Sequence, residues 1–130
     1  MIRGMIIKES LIDVQLLSHP LLTIVERYPI RMDGKYPIEV VMVDVPEEQL
    51  TAALALVSEG LLHAKYYAHF VAGALMYVVY PWTISVVKRG NEESARQCIE
   101  MGAKFDVPAA QLPMTKMFNF GHAEHLDEGG

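Results

Sequence analysis

HAKYYAHFVAGALMYVVYPWTISVVKR, residues 63–89, decides the fold. It divides into three short runs, HAKYYAHFV, ALMYVVY and TISVVKR, each rich in β-branched and aromatic residues and too short for a stable helix. Gly73 marks the turn between the first two, and Pro81-Trp82 marks the second turn. The stretch therefore predicts a three-strand antiparallel meander.

Beyond it, Asn91 is a good N-cap, and EESARQCIEMG carries Ala95, Cys98, Ile99 and Gly102 as one helical stripe, with Gly102 able to permit close packing. DVPAAQLP reads as a short helical turn with Pro108 at its start. MTKMFNF reads as a last strand or an arm. GHAEHLDEGG, residues 121–130, reads as a flexible acidic tail.

Before the meander, PEEQLTAALALVSEG is the clearest helix in the chain. Pro46 stands where a first-turn proline loses nothing, and Glu47 and Glu48 suit the positive end of the helix dipole. Leu50, Ala53, Leu54, Val57 and Leu61 form its apolar stripe, and Gly60 is a natural stop. Ile38 to Val45 is almost continuously apolar, as expected of a strand buried on both faces. Asp33-Gly34 is the strongest hairpin signal, and Pro29 in the arm before it argues for an edge strand. Asp13 to Thr23 reads as a loop or a helical turn broken at Pro20. Residues 2–9 read as a short Ile-rich strand.

From residue 37 the order is β-α-β-β-β-α. It predicts an α+β two-layer sandwich, a mostly antiparallel sheet with two helices on one face, ferredoxin-like or related. Residues 1–120 read as one domain with an N-terminal strand and hairpin extension. Within 37–112, VPEEQL, then YYAHFV and ALMYVVYP, then GAKFDVPAAQL resemble a group of small bacterial α+β proteins with no assigned activity. The resemblance implies the architecture and carries no site residue.

The 130 residues suffice for one core and not for two. A hydrophobic fraction of 52% and a mean hydropathy of +0.20 are high for a small domain. Either the chain buries its apolar surface efficiently or a second subunit covers part of it, and a homo-oligomer is the expectation. Of the net charge of −5, three charges come from Glu124, Asp127 and Glu128, leaving −2 on residues 1–120. Such a body lacks the clustered Lys and Arg of a nucleic-acid surface, and no apolar run is long enough for a membrane helix. One cysteine allows neither an internal disulfide nor a thiolate metal site. A cytoplasmic protein without cofactor or metal is the expectation.

Candidate chemistry centres on His63, Lys65, Tyr67 and His69. On a regular strand the odd residues share one face, and Ala64, Tyr66, Ala68 and Phe70 face the helices. His69 would then lie near Met76 or Tyr77 of the next strand. An imidazole beside a phenol suits proton transfer, with His69 as acid/base, Tyr67 as donor and Lys65 as anchor. His63, Lys65, Tyr67, His69 and Tyr77 would line a small-molecule site on a covered sheet face. A sheet with one wet face alternates in the same way and is the simpler reading. His122, His125 and Asp127 could hold zinc, but i, i+3 spacing in a solvated tail does not make a closed site. Cys98 reads as a small buried hydrophobe. Trp82, at a hairpin tip, reads as a lid on the core or an anchor for a partner. Two function classes follow: a self-associating binding or assembly module, or a small-molecule enzyme around His69 and Tyr67.

Overall fold

The computed structural model describes residues 1–32, 35–63 and 65–120. The Asp33-Gly34 turn, Ala64 and the tail bearing His122, Glu124, His125, Asp127 and Glu128 lie outside the described residues. Six strands, β1 Ile2–Ile7, β2 Thr23–Met32, β3 Tyr36–Val45, β4 Ala68–Ala72, β5 Leu75–Tyr80 and β6 Thr83–Lys88, form one antiparallel sheet of order β2-β3-β1-β4-β5-β6. Three helices, α1 Leu50–Gly60, α2 Glu92–Ala103 and α3 Met114–Met117, complete an α+β architecture.

The three-strand meander forms, with its first strand starting at Ala68 rather than at His63. β4 pairs with β5 across a turn at Gly73, whose φ is +61°, and β5 pairs with β6 across Pro81-Trp82. β2 is an edge strand, as Pro29 demands, and β3 is buried on both faces from Val40 to Val43. Pro46 precedes a short 3₁₀ turn, Glu47–Gln49, which leads into α1. Ala53, Leu54, Val57 and Leu61 are buried as one stripe. At the start of α2, Asn91 Oδ1 accepts from the Ser94 amide at 2.8 Å. Residues 14–18 form a 3₁₀ turn capped by Asp13, and Pro108 precedes another, Ala109–Gln111.

The two long helices cover opposite faces, which corrects the two-layer, ferredoxin-like expectation of both on one face. Alternate residues of a strand point to opposite sides. Val79, with Phe70 and Ala68, packs against Ala53, Leu54 and Val57 of α1. Val78, Met76 and Tyr80 pack instead against Cys98 of α2 and against Leu112, Met117 and Phe118 of the C-terminal arm. The same second face continues to Met5, Ile7, Val40 and Met42, where Phe120 and Tyr66 reach them. Both faces of ALMYVVY are apolar because both are covered, one by α1 and one by α2 with the arm.

MTKMFNF is not a strand. Its Met114–Met117 segment is helical, and the arm ends with Phe120 against the sheet. Nor is β1 an extension: it sits at the sheet centre, paired with β3 on one side and β4 on the other. Gly4 fits that crowded place for a steric reason. A Cβ there would lie 2.3 Å from the Phe70 ring, which lies across β1. Gly102 does the same for α2, since its absent Cβ would meet Leu112 at 2.8 Å and the Tyr80 hydroxyl at 2.9 Å.

Candidate functional site

The expected strip of odd residues does not form. β4 begins only at Ala68, and Lys65 takes a left-handed φ of +78°, its N–H donating to Phe105 O at 2.7 Å. Regular alternation therefore fails before the strand starts. His63 and Lys65 are exposed on the loop, whereas Tyr67 and His69 are buried beneath the arm. Tyr66 packs with the Met5 and Ile7 group rather than facing α1 with Phe70. Tyr77 is across the sheet from His69: it pairs with Phe70 on the α1 face, and His69 pairs with Val78. Five residues expected in one site thus occupy three environments.

Tyr67 and His69 do come together, with ring centroids 6.3 Å apart. Their polar atoms serve the arm. The Tyr67 hydroxyl donates to Gln111 O at 2.6 Å, and His69 Nε2 lies 3.0 Å from Met117 O. A carbonyl only accepts, so the ring proton is on Nε2. Phe120 stacks on the imidazole at 5.1 Å, and Arg89 lies 4.3 Å over the Phe118 ring. Burial raises the Tyr67 hydroxyl well above the ordinary phenol range. Such a phenol holds its proton and anchors a backbone, and the pair reads as a fastening of the C-terminal arm. Tyr80 and Cys98 form a similar unit on the same face. The Tyr80 hydroxyl donates to Cys98 O at 3.0 Å, and burial raises both its pKa and that of the thiol. The Cys98 side chain is fully buried, as a small hydrophobe should be.

Exposed apolar side chains occur at both sheet edges, Ile24 and Val25 on β2 and Ile84 and Val86 on β6, and also at Ile12, Val14 and Tyr36. Ile84 and Val86 of β6 are 40% and 47% exposed, and Trp82 before them is 68% exposed. Ile84 and Val86 point to the α1 face, since they pair with Val79 and Tyr77, and Trp82 lies in the turn before the strand. Trp82 occupies the second turn position after Pro81 with φ +58°, a place that favours glycine. Its N–H donates to Ser58 O at the end of α1, 3.1 Å away.

The two edges of the sheet differ in kind. β2 carries Pro29, a register irregularity between Ile24 and Glu26, and an ion pair from Arg27 to Glu39 at 2.5 Å. Proline, bulges and charges are the devices that keep an edge from pairing with another chain. β6 has none of these between Thr83 and Val87. Arg89 N–H donates inward to Ala74 O, whereas Lys88 N–H points outward to Ser94 Oγ. By alternation the amides and carbonyls of Ile84 and Val86 also point outward. Among the described residues no strand pairs with them. Of the two readings of Trp82, a lid on the core or an anchor for a partner, its 68% exposure does not suit a lid. The bare edge beside it was missed, although a TISVVK run lacking proline and internal charge was its signal.

Three comparisons place no known protein beside this edge: no family model, no curated protein and no solved structure matches the chain.

Proposed function

We propose that the protein is a self-associating assembly module whose interface is the β6 edge. The observation that carries this reading is the asymmetry of the sheet. Both edges expose apolar side chains, but β2 is blunted by Pro29 and a bulge, whereas β6 carries Ile84 and Val86 beside Trp82 on backbone that no strand among the described residues pairs. A second copy would bury those side chains and satisfy those groups. The high mean hydropathy of +0.20 agrees with surface that is covered in the working state.

Light scattering coupled to size exclusion tests it. The wild type should elute at twice the chain mass, and Val86→Lys at the chain mass with an unchanged circular dichroism spectrum. A wild type that stays monomeric from micromolar to near-millimolar concentration would overturn the reading.

The enzyme alternative around His69 and Tyr67 gains no support from a geometry in which both side chains fasten the arm. A cytoplasmic setting rests on composition, with one cysteine and no disulfide framework. No described helix is long and apolar enough to cross a membrane. The likeness of residues 37–112 to small bacterial α+β proteins adds a family reading without a residue role.

A further inference from the structure

The open stretch of β6 is bounded on both sides. Trp82 N–H is taken by Ser58 O and Lys88 N–H by Ser94 Oγ, so among the described residues the outward groups still available are those of Ile84 and Val86. We infer that the partner is a second copy of this chain, docked antiparallel about a two-fold axis at Ser85, with Ile84 of each copy opposite the partner's Val86. This rests on the self-association reading above and specifies its register.

Three observations select that register. First, it pairs all four open backbone groups with open groups, making four hydrogen bonds across the axis. Centring the axis on Ile84 or on Val86 instead sets an open residue against Trp82 or Lys88, whose amides are already committed. Second, it matches side chains: Ile84 meets the partner's Val86 on the α1 face, apolar against apolar. An axis at Val86 would set Ile84 against a lysine.

Third, the charge on α2 is complementary about the same axis. α2 returns antiparallel to β6, with Cys98 beside Ser85 and Ser94 beside Lys88. The axis runs perpendicular to the sheet, so the two α2 helices lie on one face and antiparallel to each other. Exposed Lys104 and exposed Glu93, which also pairs with Arg96 of its own helix, stand on opposite sides of Cys98. Each Lys104 therefore approaches the acidic first turn of the partner's α2. A cleft of about 430 Å³ between β6 and α2, lined by Ser85, Gln97, Glu100 and Lys104, is where the two helices would close.

Disulfide trapping tests the register. Ile84→Cys and Val86→Cys are made singly, one with a size tag, and co-expressed; buried Cys98 stays in place. Directly opposite residues of a hydrogen-bonded pair have Cα atoms about 5.5 Å apart, within disulfide range, while like residues on the diagonal are about 7–8 Å apart. Oxidation should link the mixed dimer at least roughly tenfold more than either variant alone, the spread expected from that difference in distance. A charge swap gives a second readout should the cysteine variants fail to associate. Lys104→Glu should weaken the dimer roughly tenfold, and adding Glu93→Lys in the same chain should restore it. A dimeric wild type with no mixed-specific link, or with no rescue when the cysteine variants are monomeric, overturns the register and leaves self-association standing. A monomeric wild type overturns both.

Discussion

Trp82 donates its backbone N–H to the carbonyl of Ser58, 3.1 Å away, and that bond ties the β5–β6 turn to the last turn of α1. The tie holds a tryptophan in left-handed backbone with its side chain 68% exposed. Glycine would adopt the same φ without the steric cost, of order 1 kcal/mol or more for a bulky residue. Trp82→Gly should therefore leave the isolated chain as stable or more stable by about 1 kcal/mol, while weakening self-association. Urea unfolding at low protein concentration, beside light scattering at high concentration, separates the two effects. A variant that associates as tightly as wild type removes Trp82 from the interface.

Proline scanning reads the orientation of the edge. Val86 N–H points outward, so Val86→Pro should cost the monomer little while preventing pairing with a partner. Ser85 N–H belongs to the ladder with β5, and Ser85→Pro should cost about 3 kcal/mol. Equal losses of melting temperature at the two positions would show that the assigned alternation is wrong.

Gly4→Ala should be among the more damaging small substitutions in the chain. The new methyl would start 2.3 Å from the ring of Phe70, a fully buried side chain. Overpacking of this kind costs roughly 1–3 kcal/mol and more where the neighbour cannot turn aside. Phe70→Leu in the same chain should recover part of the loss, a coupling that a double-mutant cycle measures. Additive losses would place the strain elsewhere.

Stability should fall in alkali. Burial raises the Cys98 thiol above its ordinary value of 9.0 and the Tyr67 and Tyr80 phenols above 10.0. Below those ordinary values all three groups are protonated in both states, and their contribution is fully present. As pH rises past them the unfolded chain releases protons that the folded chain keeps, so unfolding is progressively favoured. The urea midpoint should be flat from about pH 6 to about pH 8 and drop by about pH 10. A midpoint that holds through about pH 11 would mean that water reaches these groups.

How much could be read from the residues alone depended on whether the clue was local. The α1 stripe, the Asn91 cap, the Pro29 edge and the turns at Gly73 and Pro81-Trp82 each follow from a few adjacent residues, and all appear in the fold. The helix faces did not follow. ALMYVVY is apolar on both sides, and its pattern says that both faces are covered without saying by which element. His69 misled because an isolated imidazole on an alternating strand resembles a wet face; its burial depends on an arm 48 residues away. The strip at residues 63–69 failed at Lys65, whose left-handed backbone no pattern of polarity announces. MTKMFNF reads as a strand or an arm and forms the arm, but its helical turn was the more avoidable miss, since MTKM favours helix over strand.

The central place of β1 has a consequence for how the chain folds. Arg3 pairs with Asp44 on one side and with Val71 on the other, so its two ladders close loops of 41 and 68 residues. Long loops must be closed before their contacts repay the lost entropy, which slows folding. Until β1 inserts, the β2–β3 hairpin exposes the edge of β3 and the β4–β5–β6 meander that of β4. The N-terminal strand is thus a keystone set last into an arch, and refolding should show one slow phase that Gly4→Ala retards. Fast refolding unaffected by that change would mean that the two halves find each other without it.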